Sequence, residues 1–292
     1  MITRFAPSPT GPLHLGHAYS ALLAFDMARA AGGTFLLRIE DIDQSRARPE
    51  WEQQIYDDLA WLGIEWETPV VRQSERLREY GRVLRQMWWD GFAYACSCNR
   101  RDILAAASAP QEGAPLVGPD GIVYPGTCKN DPSERDHYPA PPPSSAIRFD
   151  WDTFPDGCTN NRELTFFEDG DVHGRAEIHV SVDKLAQQVG DFVLSRPAMG
   201  TSYHLAHVID DAAQSVDLVV RGADLFDATG LHVALQRLLN LPTPRYWHHK
   251  LIRDDSGKRL AKRDDARAIS LYRAEGHSPN DIRKMVGLPH VQ

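Results

Sequence analysis

Two histidines three residues apart are the first place where this chain could do chemistry. In TGPLHLGH (10–17), His14 and His17 flank Gly16, with Pro12 just upstream. Residues at i and i+3 share one face of a helix, and three readings of the pair follow. They could ligate a metal, although no Glu, Asp or Cys in the next turn completes a ligand set. They could be surface histidines at a helix start. Or they could add donors to a helix N-terminus, where free N–H groups and the positive end of the helix dipole favour an anion. Gly16, lacking a Cβ, would then let a flat ligand lie against the helix backbone. An adenine nucleotide with its phosphates toward the histidines fits that third reading. The chain contains no G-x-x-x-x-G-K-[ST] motif and no G-x-G-x-x-G after a strand, so a nucleotide would bind by another route.

Two further groups stand out. Cys96 and Cys98 form a C-x-C pair, and Cys128 follows. Three thiols need a fourth ligand to close a zinc site, and Cys158 and His137 are candidates on sequence distance. Free buried thiols and a redox pair are the alternatives. The second group is basic: Arg253, Lys258, Arg259, Lys262, Arg263 and Arg267 fall within 15 residues, interrupted by Asp254, Asp255, Asp264 and Asp265. It reads either as a solvated charged surface or as a contact for phosphate.

The elements that must position these groups alternate. ITRFA (2–6) is a short β-like run ended by Pro7 and Pro9. From His14, the apolar positions Ala18, Leu22 and Phe25 mark a helix ending at Gly32-Gly33, and FLLRIE reads as a buried strand. Strand, loop, helix and strand in about forty residues make a βαβ unit with a right-handed crossover. Ligands of such sheets sit at strand carboxyl ends and helix N-termini, which is where TGPLHLGH falls. Helices are predicted at 49–62, at 74–90 and at 227–239. Strands are predicted at AIRFD (146–150), AEIHVSV (176–182) and VDLVVRG (216–222). SPNDIRKMVG suggests a last helix with Ser278 as cap and Pro279 in its first turn. The proline-rich stretch ending in PAPPPSS should be loop. The expected division is a Rossmann-like unit of 1–94 and 191–245, an insertion over 95–190, and a loop with a helical tail over 246–292.

Bulk properties set the outer bounds. The 292 residues are 42% hydrophobic and 25% charged, an ordinary globular balance. No apolar run approaches the roughly 18 residues of a membrane span, and the opening has no basic segment followed by an apolar one. Four cysteines suit a reducing compartment better than a disulfide framework, so the cytoplasm is the expectation. A net charge of −8 argues against a nonspecific nucleic-acid coat without excluding a local basic face.

Five blocks together resemble a known family. RFAPSPTGPLHLGH (4–17) resembles the opening of glutamyl-tRNA synthetases, class I enzymes with a HIGH motif, here HLGH. LRIEDIDQSR (37–46), SYHLAHVIDD (202–211) and LVVRGADL (218–225) match three further blocks. GKRLAKRD (257–264) stands where the KMSKS loop belongs. Only 28 residues follow Asp264, too few for the helical anticodon-reading portion of that family. This shortness, with the C-x-C pair, Tyr124 and Cys128, resembles a reduced branch of the family. That branch attaches glutamate to queuosine, the modified wobble base of tRNA(Asp), rather than to the 3′ end.

The resemblance implies an α/β, Rossmann-like class I catalytic domain with a parallel sheet, an inserted zinc-binding subdomain and a short helical end. It implies ATP-dependent activation of L-glutamate, with Mg²⁺ accompanying the ATP, and transfer to queuosine-bearing tRNA(Asp). A monomer is expected. His14, Gly16, His17 and Lys262 would hold the nucleotide, and His14, His17 and Lys262 would steady charge building on the phosphate. The KMSKS counterpart reads Arg259-Leu260-Ala261-Lys262-Arg263, so Ala261 stands where that motif has a serine hydroxyl. Arg4, Tyr203 and Arg221 would surround the glutamate side-chain carboxylate, and Ser8 and Glu40 would take its ammonium. One structural zinc would be held by Cys96, Cys98, Tyr124 and Cys128. The role of His207 stays open. A short synthetase charging the 3′ end and a non-catalytic glutamate- or ATP-binding relic are the rival readings.

Overall fold

In the computed structural model, β1 (Ile2–Phe5), α1 (Leu15–Ala30) and β2 (Thr34–Ile39) form the predicted βαβ unit. The structure describes residues 1–107, 117–118, 121–129, 139–158, 162–253 and 267–290. Helix α1 packs Ala18, Ala21, Leu22, Ala24, Phe25 and Ala28 onto the sheet, all buried. Each large apolar side chain removed from water here is worth roughly 1.5–3 kcal/mol. Gly33 is what lets β2 start against β1, because a Cβ there would lie 1.9 Å from the Met1 carbonyl oxygen.

β2 runs parallel to β1 in the register Ile2↔Thr34 to Phe5↔Leu37, and β3 (Glu67–Arg72) adds a further parallel strand beyond it. The 49–62 prediction is met by α2 (Pro49–Trp61), with proline in its first turn. The 74–90 prediction is met by a 3₁₀ turn over Gln73–Arg76 and then α3 (Leu77–Trp89). β3 was not foreseen, since ETPVVR is a half-exposed edge strand with no alternation to read.

The second half begins with β4 (Ala93–Cys96) and α4 (Arg100–Ala107), followed by the small hairpin β5 (Val117–Gly118) and β6 (Gly121–Ile122). β7 (Ala146–Phe149) lies antiparallel between β4 and β10 (Val193–Ser195). β8 (Glu163–Glu168) pairs antiparallel with β9 (Ala176–Ser181) and parallel with β12 (Arg245–His249). β12 in turn pairs parallel with β11 (Leu218–Gly222). The sheet pairing therefore does not follow the expected 95–190 division. β8 and β9 join the sheet that carries β11, while β4 and β10 join the insertion's own strand. Strand partners are chosen by hydrogen bonding across the chain, which sequence proximity does not reveal.

β1 and β11 meet at the middle of the molecule. The Asp217 N–H donates to the Ile2 carbonyl at 3.1 Å, but no ladder continues between the two strands. The side chain of Arg4 bridges instead, Nη1 donating to the Val220 carbonyl at 3.4 Å. This is the switch point of the parallel halves, where strand ends leave a crevice. Two helices serve it. Tyr203–Ala213 is capped by Ser202 and leads toward β11, and Thr229–Leu238 crosses from β11 to β12. The tail closes over α1: Ile269–Ala274 and Pro279–Val286 bring Ile269 and Ile282 into the core around α1. Arg283 grips Asp26 at 2.7 and 2.8 Å. Ser278 forms the expected cap, with Asp281 completing the capping box.

Candidate active site

The crevice between β1 and β11 holds a cavity of about 130 Å³ lined by Arg4, Glu40, Tyr203, His207 and Arg221, with Ser20 of α1 at its edge. Glu40 and Tyr203 also line an adjoining cavity of about 340 Å³, which Ser8, His204 and Arg196 enter. All five residues expected to handle glutamate are thus gathered at one place. Four line the small cavity, and Ser8 lines the larger one beside it.

The two arginines are held in different ways. Arg4 is ion-paired with Asp211, Nε to Oδ1 at 3.1 Å and Nη2 to Oδ2 at 3.3 Å. Asp211 also takes Arg38 at 2.7 Å, and Arg38, with no exposed surface, reaches Gln214 at 2.9 Å and Glu40 at 3.3 Å. Asp210, next along the same helix, accepts from Gln73, Tyr80 and Arg76 at 2.7–2.8 Å. The Asp-Asp pair of SYHLAHVIDD therefore anchors a buried ionic lattice. Burial opposes the charge on Asp211, but Arg4, His207 and Arg38 outweigh it and hold its carboxyl far below the usual range. Glu40 is likewise held low, as the nearby His207 ring and the charges of Arg38 and Arg4 overcome burial.

Arg221 meets no carboxylate within 4 Å among the described residues. Its Nε donates to His248 Nε2 at 3.1 Å, Nη1 to His232 Nδ1 at 3.0 Å, and Nη2 to the Thr229 hydroxyl at 2.7 Å. Burial lowers the pKa of both histidines and keeps them neutral. A guanidinium offers five N–H donors and no acceptor. Three are used, leaving one on each of Nη1 and Nη2, the two-point fork that suits a carboxylate. A buried cation among neutral partners is an anion site in waiting.

His207 packs against the Tyr203 ring at 5.2 Å between centroids. Its Nε2 lies 3.2 Å from Asp211, and its buried Nδ1 has no hydrogen-bond partner, with Glu40 at 4.0 Å. A buried ring nitrogen without a partner is costly, and His207 lines the small cavity.

The N-terminal histidines do more than flank α1. His14 is its N-cap: Nδ1 accepts from the Gly16 N–H at 3.1 Å, while His17 Nδ1 accepts from the His14 N–H at 3.1 Å. The rings stack at 3.7 Å. With both Nδ1 atoms occupied as acceptors, each neutral ring carries its proton on Nε2 and is a donor there. Part of the expected anion site is corrected by this, because the Gly16 N–H is already taken by the His14 ring. Gly16 also has a nearer reason than ligand approach, since a Cβ would sit 3.0 Å from that ring.

Lys262, with Lys258, Arg259, Ala261 and Arg263, lies outside the described residues. The described chain on the far side of that segment returns to the histidines: Ala268 bridges His14, and the Ile269 N–H donates to the Leu13 carbonyl at 2.8 Å.

The thiols of Cys96, Cys98 and Cys128 lie within 4.8 Å of one another. The Tyr124 hydroxyl is 3.4 Å from Cys96 and 3.6 Å from Cys98, and it accepts the Cys128 N–H at 2.9 Å. The guanidinium of Arg148 stacks over the Tyr124 ring at 3.7 Å. Although burial works against the thiolate, hydrogen bonds from Tyr124 and around Ser97 bring Cys128 down to about 7, whereas burial pushes Cys98 up to about 11. Among the described residues, this is the group of His, Cys, Asp or Glu that could hold a metal ion. His137 and the side chain of Cys158 lie outside the described set.

Sequence reasoning missed Asp211, His232, His248, Thr229 and Glu168, all buried around the two arginines. Only the doubled aspartate at the end of SYHLAHVIDD offered a signal.

Known proteins share this chain's fold and much of its sequence. Residues 1–291 match the family of class I tRNA synthetases for E and Q, catalytic domain. A curated relative from Rhodobacter capsulatus, glutamyl-Q tRNA(Asp) synthetase, is 59% identical over 99% of this chain and 100% of its own. One of the same name from Nocardia farcinica is 40% identical over 98% of this chain and 85% of its own. A glutamate tRNA ligase from Elizabethkingia meningosepticum, solved with its amino acid, superposes with a TM-score of 0.73 at 27% identity, covering 98% of this chain. This chain spans 60% of that ligase's length. A methionyl-tRNA synthetase from Mycobacterium tuberculosis shares the fold, with a TM-score of 0.56 at 13% identity. The chain belongs to the class I aminoacyl-tRNA synthetases, a family of ligases. Within it, the end-to-end match puts the chain in the glutamyl-Q tRNA(Asp) synthetase branch.

Proposed function

We propose that the chain activates L-glutamate with ATP and passes the glutamyl group to queuosine in tRNA(Asp). The observation that carries this reading is Arg221: buried, two N–H groups to spare, neutral partners only, and facing Glu40 and Tyr203 across a cavity. A free amino acid with a second carboxylate matches that polarity. Its side-chain carboxylate meets Arg221 and Tyr203, with Arg4 on the facing wall. Its ammonium goes to Glu40 and Ser8.

In the first step, an oxygen of the α-carboxylate attacks the α-phosphorus of ATP, and the bond to the β-phosphate breaks to release pyrophosphate. The carboxylate is already ionised at neutral pH, so the residues position and neutralise rather than remove a proton. The Nε2–H groups of His14 and His17, at the N-terminus of α1, and Lys262 are the nucleotide contacts of this reading. In the second step, a queuosine hydroxyl attacks the acyl carbon and AMP leaves. Mg²⁺ accompanies the ATP.

Cys96, Cys98 and Cys128, with the Tyr124 oxygen as a further donor, would hold one structural zinc, an ion that soft thiolates select and that would brace this loop-rich segment. The β4–β7–β10 sheet and this cluster form the inserted subdomain. Glutamate-dependent exchange of labelled pyrophosphate into ATP, measured without tRNA, is the test of activation. Its absence at saturating ATP and Mg²⁺ rejects the reading. Labelled glutamate should then appear on tRNA(Asp) only when queuosine is present; label on the 3′ end instead would make the chain a short charging enzyme.

A further inference from the structure

Arg221, His248 and Glu168 sit on β11, β12 and β8, three neighbouring parallel strands. The pairing register puts Arg221 opposite His248, and the next pair, Tyr246↔Glu168, brings Glu168 alongside. His248 Nδ1 is 2.5 Å from Glu168 Oε2, and both residues have no exposed surface. The other oxygen, Oε1, accepts the backbone N–H groups of His248 at 2.9 Å and Gly170 at 2.8 Å. The turn is shaped around this carboxylate, since a Cβ on Gly170 would lie 2.5 Å from Oε1.

We propose that Glu168 is a positioning residue for the glutamate site, acting on Arg221 through a single fixed tautomer of His248. The reasoning is one of donors and acceptors. An arginine cannot accept, so His248 Nε2 must be the bare nitrogen that receives Arg221 Nε–H, and the proton must stand on Nδ1. A carboxylate with no proton of its own is the partner that fixes this choice. The negative charge of Glu168 thereby balances Arg221 at one remove. The guanidinium stays cationic and buried without a direct ion pair, and its two spare N–H groups remain for the incoming carboxylate. A direct pair, of the kind Arg4 makes with Asp211, would occupy the fork. The second arm works in the same way: His232 Nδ1 receives Arg221, so Nε2–H faces His204 Nδ1 at 3.0 Å. Orientation by a carboxylate behind a histidine is familiar from metal sites, where its loss costs about 10–100-fold in affinity. Here a guanidinium stands where the metal would.

This inference rests on the glutamate reading of the cavity. Its test is Glu168→Gln, which keeps size and shape. An amide must present one NH₂ group. If that group faces His248, the ring proton moves to Nε2 and collides with Arg221 Nε–H; if it faces the turn, it opposes two backbone N–H groups. The expected result is an increase of about 10–100-fold in KM for glutamate in pyrophosphate exchange, with KM for ATP unchanged. Discrimination against glutamine should fall with it. Glu168→Asp should recover part of the loss. Imidazole ¹⁵N spectra should show Nδ1–H on His248 in the parent chain and a changed proton position in Glu168→Gln.

Unchanged glutamate KM in a folded Glu168→Gln variant, or His248 protonated on Nε2 in the parent, overturns the proposal. Loss of melting temperature with equal loss for glutamate and ATP would mark Glu168 as merely structural and overturn it too. Should the parent chain show no exchange at all, the cavity reading fails instead, while the ring spectra still decide the tautomer.

Discussion

The two walls of the small cavity carry the same residue type and opposite electrostatics. On the β1 wall, Arg4 is neutralised from within the chain by Asp211, which is shared with Arg38. On the β11 wall, Arg221 is surrounded by His232, His248 and Thr229, all neutral. The first wall is a structural lattice that would exist without a ligand. The second holds a positive charge with no carboxylate in contact among the described residues. Burial alone therefore does not mark a functional charge; what marks it is burial without a counter-charge in contact.

The contrast can be broken most forcefully at Arg221. Arg221→Ala should lower kcat/KM for glutamate by about 10³-fold, because a buried charge pair with the substrate is lost. The folded state should suffer less, since Glu168 keeps its hydrogen bonds to His248 and to two backbone N–H groups when Arg221 is gone. Pyrophosphate exchange and chemical denaturation on the same preparation would measure both, and a variant that unfolds without losing specificity would erase the distinction between the walls.

Asp211→Asn should invert the pattern. Arg4 and Arg38 would lose their shared counter-ion, at a cost of about 3–5 kcal/mol in stability. The parent chain carries the same signature in its pH dependence. Asp211 and Glu40 have folded-state pKa values below their unfolded ones of roughly 3.9 and 4.3. The unfolded chain takes up protons first as the pH falls, so the stability they confer is complete above about pH 5 and drains away below it. Denaturation midpoints should already sag from pH 7 to about 5, as the unfolded chain protonates histidines that burial keeps neutral in the fold, and drop more steeply at pH 4. In Asp211→Asn that drop should be shallower; an identical acid limb would place the lattice elsewhere.

The smallest effect on activation belongs to the thiols, which line neither cavity. Metal analysis should find one zinc per chain. Its removal by a chelator should lower the melting temperature by a few degrees and leave glutamate-dependent exchange within about twofold, since a structural ion stabilises the fold that holds it. Chelation that abolishes exchange at once would tie the insertion to the catalytic half.

Much of the scaffold was legible because it is local. The apolar spacing of Ala18, Leu22 and Phe25 fixed α1, and Ser278-Pro279 fixed the start of the last helix. Four of the five sequence blocks marked Arg4, Ser8, Glu40, Tyr203 and Arg221, which the fold brings to two adjoining cavities. The edge strand β3 was not legible, because half-exposed ETPVVR has no period to detect. Nor was the partition of 95–190, where β8 and β9 leave the insertion for the main sheet.

The amino-acid order by itself determined the βαβ unit, the histidine pair at its turn and the family to which they belong, because each depends on contacts within a few residues or on a quoted block. Only the tertiary structure decided what each charge meets. Glu168, His248 and Arg221 are separated by 80 and 27 positions along the chain, and strand register alone makes them neighbours. Whether an arginine is spent on an aspartate or kept for a substrate is a matter of a few ångströms across strands, and no one-dimensional pattern encodes that distance.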